Sequence, residues 1–447
     1  MTARGRARQA GLFVSGMAGR RPAVPVSAQA LEQKGIAALG REAAAYVAGG
    51  AGLERTMAAN RAAFDRWRIV PRMLAGAAQR DLTVELFGRR LPLPLLLAPI
   101  GVLDLAHRDG DLPAARAAAA AGIPFVVSNQ ACRPLEEIAA ATGSAPRWFQ
   151  LYWSACDALT ESLVARAEQA GYEAIVVTLD TTMLGWRPRD LDGGYLPFVR
   201  GRGLANYLSD PVFRALAEDP AEGPDEDGES AGAGAKNPRP SLAAVLELLR
   251  HWPGGAWEVL ASDRAQRAIR RFLAVYSRPS LRWDDLPFLR ARTRLPILLK
   301  GIVHPDDARR AIDAGADGLV VSNHGGRQVD GALGALAALP EVVRAVDGRI
   351  PVLFDSGVRT GADVVKAIAL GAAAVLIGRP YVYGLALAGE RGVAEVIDNL
   401  AADLDLTLAL AGRRTLAELD PSMLALAAPA GPAPRTPSET HDADDPA

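Results

Sequence analysis

The chain has 447 residues, 49% hydrophobic and 23% charged, a balance that buries a large core and excludes a disordered or fibrous chain. Lys plus Arg number 50 against 51 Asp plus Glu, for a net charge of -1; this excludes a general attraction to nucleic acid or anionic membrane, so an anionic ligand has to be held locally. Cys132 and Cys156 are the only cysteines, too few for a disulfide framework and suited to a reducing cytoplasm.

Residues 1–30 are basic, then rich in Ala, Pro and Val, and are expected to form an arm lying on the body or on a neighbouring subunit. They hold no signal-peptide core, since residues 11–16 are short and mixed, and no uninterrupted apolar run in the chain is long enough to span a bilayer. Over residues 31–49 the apolar spacing predicts one helix, ended by Gly49-Gly50-Ala51-Gly52, with Tyr46 in its last turn.

From residue 93 one unit recurs: a short apolar run, a loop, then an Ala-rich amphipathic stretch. The runs cover residues 93–99, 124–128, 147–152, 174–180, 296–300, 318–323, 351–355 and 374–378. Continuous apolar runs suit parallel strands buried on both faces, and eight of them alternating with helices predict a (β/α)8 TIM barrel over residues 31–420, with an N-terminal helical segment. A doubly wound open sheet is the alternative. A long insertion, residues 190–282, follows the fourth strand; residues 217–240 within it are acidic and Gly- and Pro-rich and are expected to be mobile. Its place at the active end of the barrel gives two readings, a lid or an insertion without a role. The tail, residues 427–447, is expected to be disordered.

Polar residues fall at the ends of the apolar runs, where a barrel carries its chemistry. Gln150 and Tyr152 end the third run, Thr178 and Asp180 the fourth, Lys300 the fifth, Ser322, Asn323 and His324 the sixth, and Asp355 the seventh. His324 precedes Gly325, Gly326 and Arg327, a turn that presents an imidazole and a guanidinium to one cavity: a proton acceptor near neutral pH beside a two-pronged carboxylate clamp. A lone histidine is ordinarily satisfied within its loop; Arg187, a second clamp, and Asp180, which would orient the imidazole, point to a site for a 2-hydroxy acid. Asp180 could instead bridge to an arginine at the barrel mouth. Lys300, buried at a strand end, needs an anion: a reduced flavin, or Asp355 in a plain salt bridge.

Asp355-Ser356-Gly357-Val358-Arg359 and Gly378-Arg379-Pro380 follow the last two runs, where barrels often bind phosphate. No Walker loop or dinucleotide fingerprint stands in a strand-to-helix context, so FMN fits better than a nucleoside triphosphate or a dinucleotide. His107, His251 and His441 show no partner in the sequence, His304 before Pro305 suits a helix cap, and no Cys/His spacing suggests a metal.

These residues resemble a known family. Residues 31–420 are similar to the FMN-dependent 2-hydroxy acid oxidases and dehydrogenases, with SNHGGRQ at 322–328 matching their signature. The resemblance implies flavin contacts at Ala98, Pro99, Ser128, Gln150, Thr178, Lys300, Ser322, Asp355, Arg359, Gly378 and Arg379. It implies substrate contacts at Tyr46, Tyr152, Arg187, His324 and Arg327, with Asp180 behind the histidine. AYVAGG at 45–50, LDTTMLGWRPRDL at 179–191, the insertion, and Gly101, which joins the cofactor residues, are most similar to the lactate 2-monooxygenase subgroup. That subgroup implies L-lactate and O2 going to acetate, carbon dioxide and water; the alternatives are an oxidase or dehydrogenase releasing the 2-oxo acid, or more remotely a non-redox barrel. The family also implies a homotetramer or homo-octamer. Ser356 stands where glycine is usual, and Gln130 where plant glycolate oxidases carry an aromatic residue.

Overall fold

The computed structural model describes residues 4–219, 241–252, 255–260 and 262–427. Its eight parallel strands close into a barrel, which rules out the open-sheet alternative. The strands are Leu95–Leu97, Phe125–Val127, Arg147–Leu151, Ile175–Thr178, Ile297–Lys300, Gly318–Val321, Val352–Phe354 and Ala374–Ile377, one within each apolar run. Each pairs with the next, and Val375, Leu96 and their neighbours join the last strand to the first.

Although every strand is buried, alternation survives inside the runs. Leu95, Leu97, Phe125, Val127, Ile175, Val177, Ile297 and Leu299 belong to the large core shared with the surrounding helices. Leu96, Val126, Trp148, Val176, Leu298, Val320, Leu353 and Leu376 form a separate cluster that fills the barrel interior. This is the period of two that a strand imposes, divided between two apolar environments. The hairpin of Val84–Leu86 and Arg89–Leu91 plugs the opposite, N-terminal end: Phe87 meets Trp148 edge to face at 5.7 Å.

The single helix expected over residues 31–49 is two, Ala28–Ala38 and Arg41–Ala48, because Leu39 and Gly40 leave helical backbone at their junction. Tyr46 nevertheless stays in the last turn. The basic arm lies on the body: the helix Arg4–Met17 rests on the kinked helix Arg379–Leu410, with the Gly5 amide donating to Asp405 at 2.8 Å and Arg8 to Asn399 at 3.0 Å. No helix among the described residues is long and apolar enough to cross a membrane.

The described parts of the insertion fold around Phe272, which touches Phe198, Tyr207 and Tyr276 with ring centroids 4.8–5.2 Å apart. Asn206 binds this layer to the barrel by donating to the carbonyls of Ser128 and Asn129 and accepting from the Leu135 amide. Most of the segment expected to be mobile, residues 220–240, and the tail after residue 427 lie outside the described residues.

Gly361 opens the helix Gly361–Ala369 against the backbone of the last helix; a Cβ there would sit 2.1 Å from the Leu404 nitrogen. Gly361→Ala should therefore cost about 1–3 kcal/mol through overpacking. It should lower the melting temperature by several degrees while leaving bound-flavin absorbance unchanged; an unaltered melt would refute the tight crossing.

Candidate active site

Two residues beyond the interior apolar ring, the same inward-facing positions on the eight strands hold Ala98, Ser128, Gln150, Thr178, Lys300, Ser322, Asp355 and Gly378. The pleat thus turns eight expected residues from eight separate runs toward one axis at the C-terminal mouth. Above them is a cavity of about 1070 Å³, counting the part open to solvent. Tyr46, Ala98, Pro99, Gly101, Tyr152, Arg187, Lys300, His324, Arg327, Asp355, Arg359, Gly378 and Arg379 line it. Ser128, Gln150, Thr178, Asp180 and Ser322 are not in the lining and stand behind it.

Lys300 is only 3% exposed. Its ammonium lies 3.3 Å from Asp355 Oδ2 and 3.7 Å from Asp180 Oδ2, and donates to Ser322 Oγ at 2.9 Å. The Asp355 salt bridge considered from sequence is therefore real, but it is half of a shared arrangement. Burial pulls the Lys300 pKa down, and the two carboxylates outweigh it and hold the ammonium above its ordinary value. Burial likewise pushes Asp180 up, but Lys300 and His324 hold its carboxyl below the usual range. Asp180 does not bridge to an arginine: its Oδ1 lies 2.7 Å from His324 Nδ1.

That contact fixes which imidazole nitrogen is available. Asp180 and Thr181 Oγ1, at 3.2 Å, both engage Nδ1, so Nε2 is left for the cavity. Burial, assisted by the charges of Lys300 and Arg187, lowers the His324 pKa despite Asp180. The imidazole is thus neutral and able to accept a proton at neutral pH.

The turn carrying His324 is contorted: His324, Gly325 and Gly326 have φ of 56°, 64° and 78°. A Cβ on Gly325 would stand 2.8 Å from the Arg379 guanidinium, and one on Gly326 2.7 Å from the Met57 backbone nitrogen. Asn323 and Asn60 exchange reciprocal amide hydrogen bonds at 2.7 and 2.8 Å. Ser356 Oγ accepts from the amides of Asn323 and Gly325 at 3.3 and 3.0 Å and donates to Asp355 at 2.7 Å. Ser356 itself has φ of 83°, a region that favours glycine.

Arg187, 6% exposed, donates to the Arg327 carbonyl and to Gln328 Oε1. Arg327 donates to the carbonyls of Tyr46 and Gly49, and its guanidinium lies 5.0 Å from the Tyr46 ring. Neither arginine forms an ion pair among the described residues, and burial followed by the charge of Arg187 pulls the Arg327 pKa down. The Asp190 carboxylate acts on both guanidiniums without forming a salt bridge to either, so the two cations keep a surplus positive charge that suits an anionic ligand.

The donor set also fits FMN. Gln150 Oε1 is occupied by Ser128 Oγ and the Asn129 amide, while Gln150 Nε2 and Thr178 Oγ1 are buried without a partner among the described residues, as side chains reserved for a polar ring would be. At the other end Gly357, with φ of 96°, and Gly378 bring backbone to the cavity beside Arg359 and Arg379. Arg379 is bonded to carbonyls of Val47, Gly49 and Gly325, and Arg359 donates to the Val358 carbonyl at 3.1 Å and to Glu32 at 3.5 Å. That end is cationic, as a phosphate requires.

Thr181, Phe198, Tyr276 and Ser356 belong to the lining and were not picked out from sequence as site residues. Thr181 adjoins Asp180, a usable signal; Phe198 and Tyr276 come from the insertion, where no strand rhythm marks them. His251 is not partnerless, since it lies 3.4 Å from Asp104. His107 accepts from the Asp109 amide, and His304 caps its helix by accepting from the Asp306 amide at 3.2 Å. His441 lies outside the described residues.

The family model for FMN-dependent dehydrogenases matches residues 37–426. An FMN-dependent alpha-hydroxy acid dehydrogenase of Penicillium citrinum is 43% identical, covering 89% of this chain and 90% of the relative. An L-lactate oxidase of Lysinibacillus sphaericus is also 43% identical, covering 83% and 85%. A crystal structure of mandelate oxidase with (S)-4-hydroxymandelic acid superposes with a TM-score of 0.71 at 36% identity, over 90% of this chain and 99% of that one.

Replacing Lys300 by Met should leave Asp180 and Asp355 buried without their shared cation, at a cost of about 3–5 kcal/mol. With the cation gone, one carboxyl would hold a proton that its unfolded form releases, so the variant should regain stability on going from about pH 8 to about pH 5. The native Asp180, with its lowered pKa, contributes stability that is lost in the opposite sense, as pH falls through its folded value. A Lys300→Met melt matching the native protein at neutral pH, or a steeper loss on acidification, would refute the shared arrangement.

Proposed function

This chain belongs to the FMN-dependent dehydrogenase family, and from that premise we propose that it is an oxidase converting a small L-2-hydroxy acid and O2 to the 2-oxo acid and hydrogen peroxide. FMN-dependent oxidation of a small L-2-hydroxy acid is common ground with its relatives. The resemblance to lactate 2-monooxygenase gives way here, because the relatives named are oxidases and dehydrogenases. The observation carrying the reading is the pair of guanidiniums, Arg187 and Arg327, that form no salt bridge among the described residues and line one cavity with a histidine held by a carboxylate.

Arg187 and Arg327 would take the substrate carboxylate, each with N–H groups not committed to the protein. Tyr46 and Tyr152, which also line the cavity, would help orient it. His324 Nε2 would accept the hydroxyl proton, and Asp180 would stabilise the resulting imidazolium. Gln150, Thr178, Lys300, Ser322, Ser128 and the Ala98–Gly101 loop would hold the ring of FMN, and Arg359, Gly378 and Arg379 its phosphate. Bound FMN supplies the two-electron acceptor that later passes the pair to O2. In balance, the substrate loses its C2 hydrogen and its hydroxyl proton with two electrons, and O2 gains the equivalent of both to become hydrogen peroxide. The described layer of the insertion, which contributes Phe198 and Tyr276 to the lining, would act as a lid restricting water.

Aerobic turnover with L-lactate should give pyruvate and peroxide in equal amounts. Acetate without peroxide would instead make the protein a monooxygenase, and flavin bleaching with little oxygen uptake a dehydrogenase with another acceptor.

His324→Gln should keep flavin while slowing its reduction about 100- to 10,000-fold. In the native enzyme kcat/KM should fall only on the acid side, below about pH 6.5, because the neutral imidazole is the active form and burial lowers its pKa. Asp180→Asn should move that limb to still lower pH and depress the plateau; an unmoved limb would remove His324 from the role of base.

A further inference from the structure

We propose that Gln130 forms a polar subsite for the substrate's side chain, so that the enzyme prefers 2-hydroxy acids bearing a neutral hydroxyl or phenol there over their apolar isosteres. The proposal rests on the reading of the site as a 2-hydroxy acid oxidase and narrows its substrate class.

Gln130 is 6% exposed and lines the cavity. Its main chain is fully committed: the amide donates to Ser128 Oγ at 3.1 Å and the carbonyl accepts from the Val102 amide at 3.0 Å. Its side-chain amide bonds no group among the described residues, and its nitrogen and oxygen are not sealed in the protein with the other unpartnered buried atoms. A primary amide carries two donors and an acceptor, and these face the cavity uncommitted to the protein, where a ligand group can bond them.

Gly101 keeps space for that amide. A Cβ at position 101 would stand 3.0 Å from Gln130 Cβ and 3.4 Å from its Oε1, so a larger residue would crowd the side chain. In the closed ring the second strand, which Gln130 follows, is diametrically opposite the sixth, which His324 and Arg327 follow. A substrate held by its carboxylate and hydroxyl near His324 would therefore extend its side chain toward Gln130. Phe198 flanks the same stretch, since a Cβ at Gly203 would lie 3.0 Å from the Gln130 carbonyl and 3.2 Å from the Phe198 ring. An aromatic wall with one neutral amide selects a neutral hydrogen-bonding group over a second carboxylate.

The test compares kcat/KM of the holoenzyme within two pairs of near-isosteres: L-glycerate against L-2-hydroxybutyrate, and (S)-4-hydroxymandelate against (S)-mandelate. The native enzyme should favour the polar member of at least one pair by about 10- to 100-fold. Gln130→Met, which keeps the length and removes the amide, should abolish that preference while leaving turnover of the apolar member and flavin absorbance largely unchanged. Gln130→Asn, which retains an amide, should keep part of it and serves if the Met variant does not fold. Equal rates within both pairs, or a preference that survives Gln130→Met, would overturn the subsite alone. Flavin bleaching by none of the four acids would overturn the 2-hydroxy acid reading and the subsite with it.

Discussion

One ammonium, Lys300, buried between Asp180 and Asp355, organises the mouth of the barrel. Its partners and Ser322 come from the fourth, sixth and seventh strands, so four adjacent strands are tied at a single point. The arrangement is uneven: one cation faces two carboxylates. That surplus negative charge is adjacent to His324 through Asp180, and it favours a proton on the imidazole just where burial opposes it. The base is therefore set by a balance between a low-dielectric cavity, which keeps it neutral, and an ion cluster, which rewards protonation.

Ser356 extends the same network. From Asp355 its hydroxyl reaches the amides on either side of His324, so a continuous path runs from His324 through Asp180, Lys300, Asp355 and Ser356 back to the His324 turn. A left-handed non-glycine residue costs of order 1–3 kcal/mol, and Ser356 offsets this with the three contacts of its hydroxyl. Glycine there would relieve the strain and lose the brace.

The barrel and much of the site were legible because both follow from one pattern. Eight apolar runs announced the strands, and the inward parity that stacks Leu96, Trp148 and Leu298 in the interior also aligns Ala98, Gln150 and Lys300 at its mouth. Reading the strand ends as polar was enough to find the ring; seeing that the ends share one parity required the register. Other features have no such periodic mark. The break at Leu39–Gly40 depends on how two short helices dock, and Phe198 and Tyr276 reach the cavity only because Phe272 gathers the insertion into a core. Thr181 looks like loop polarity until its hydroxyl is seen between Asp180 and His324.

The two clamp arginines link binding to proton transfer. Without substrate, the charges of Arg187 and Lys300 both act against a proton on His324. A substrate carboxylate between Arg187 and Arg327 would cancel much of this positive field, since all three groups would lie in the cavity that His324 also lines. The imidazole would then hold a proton more firmly with substrate bound than without it. An acid lacking the carboxylate, such as an amide or ester of the same skeleton, would lose both its anchor and this strengthening of the base. On that account the arginines contribute to the rate of proton removal as well as to affinity, although neither touches the transferred proton.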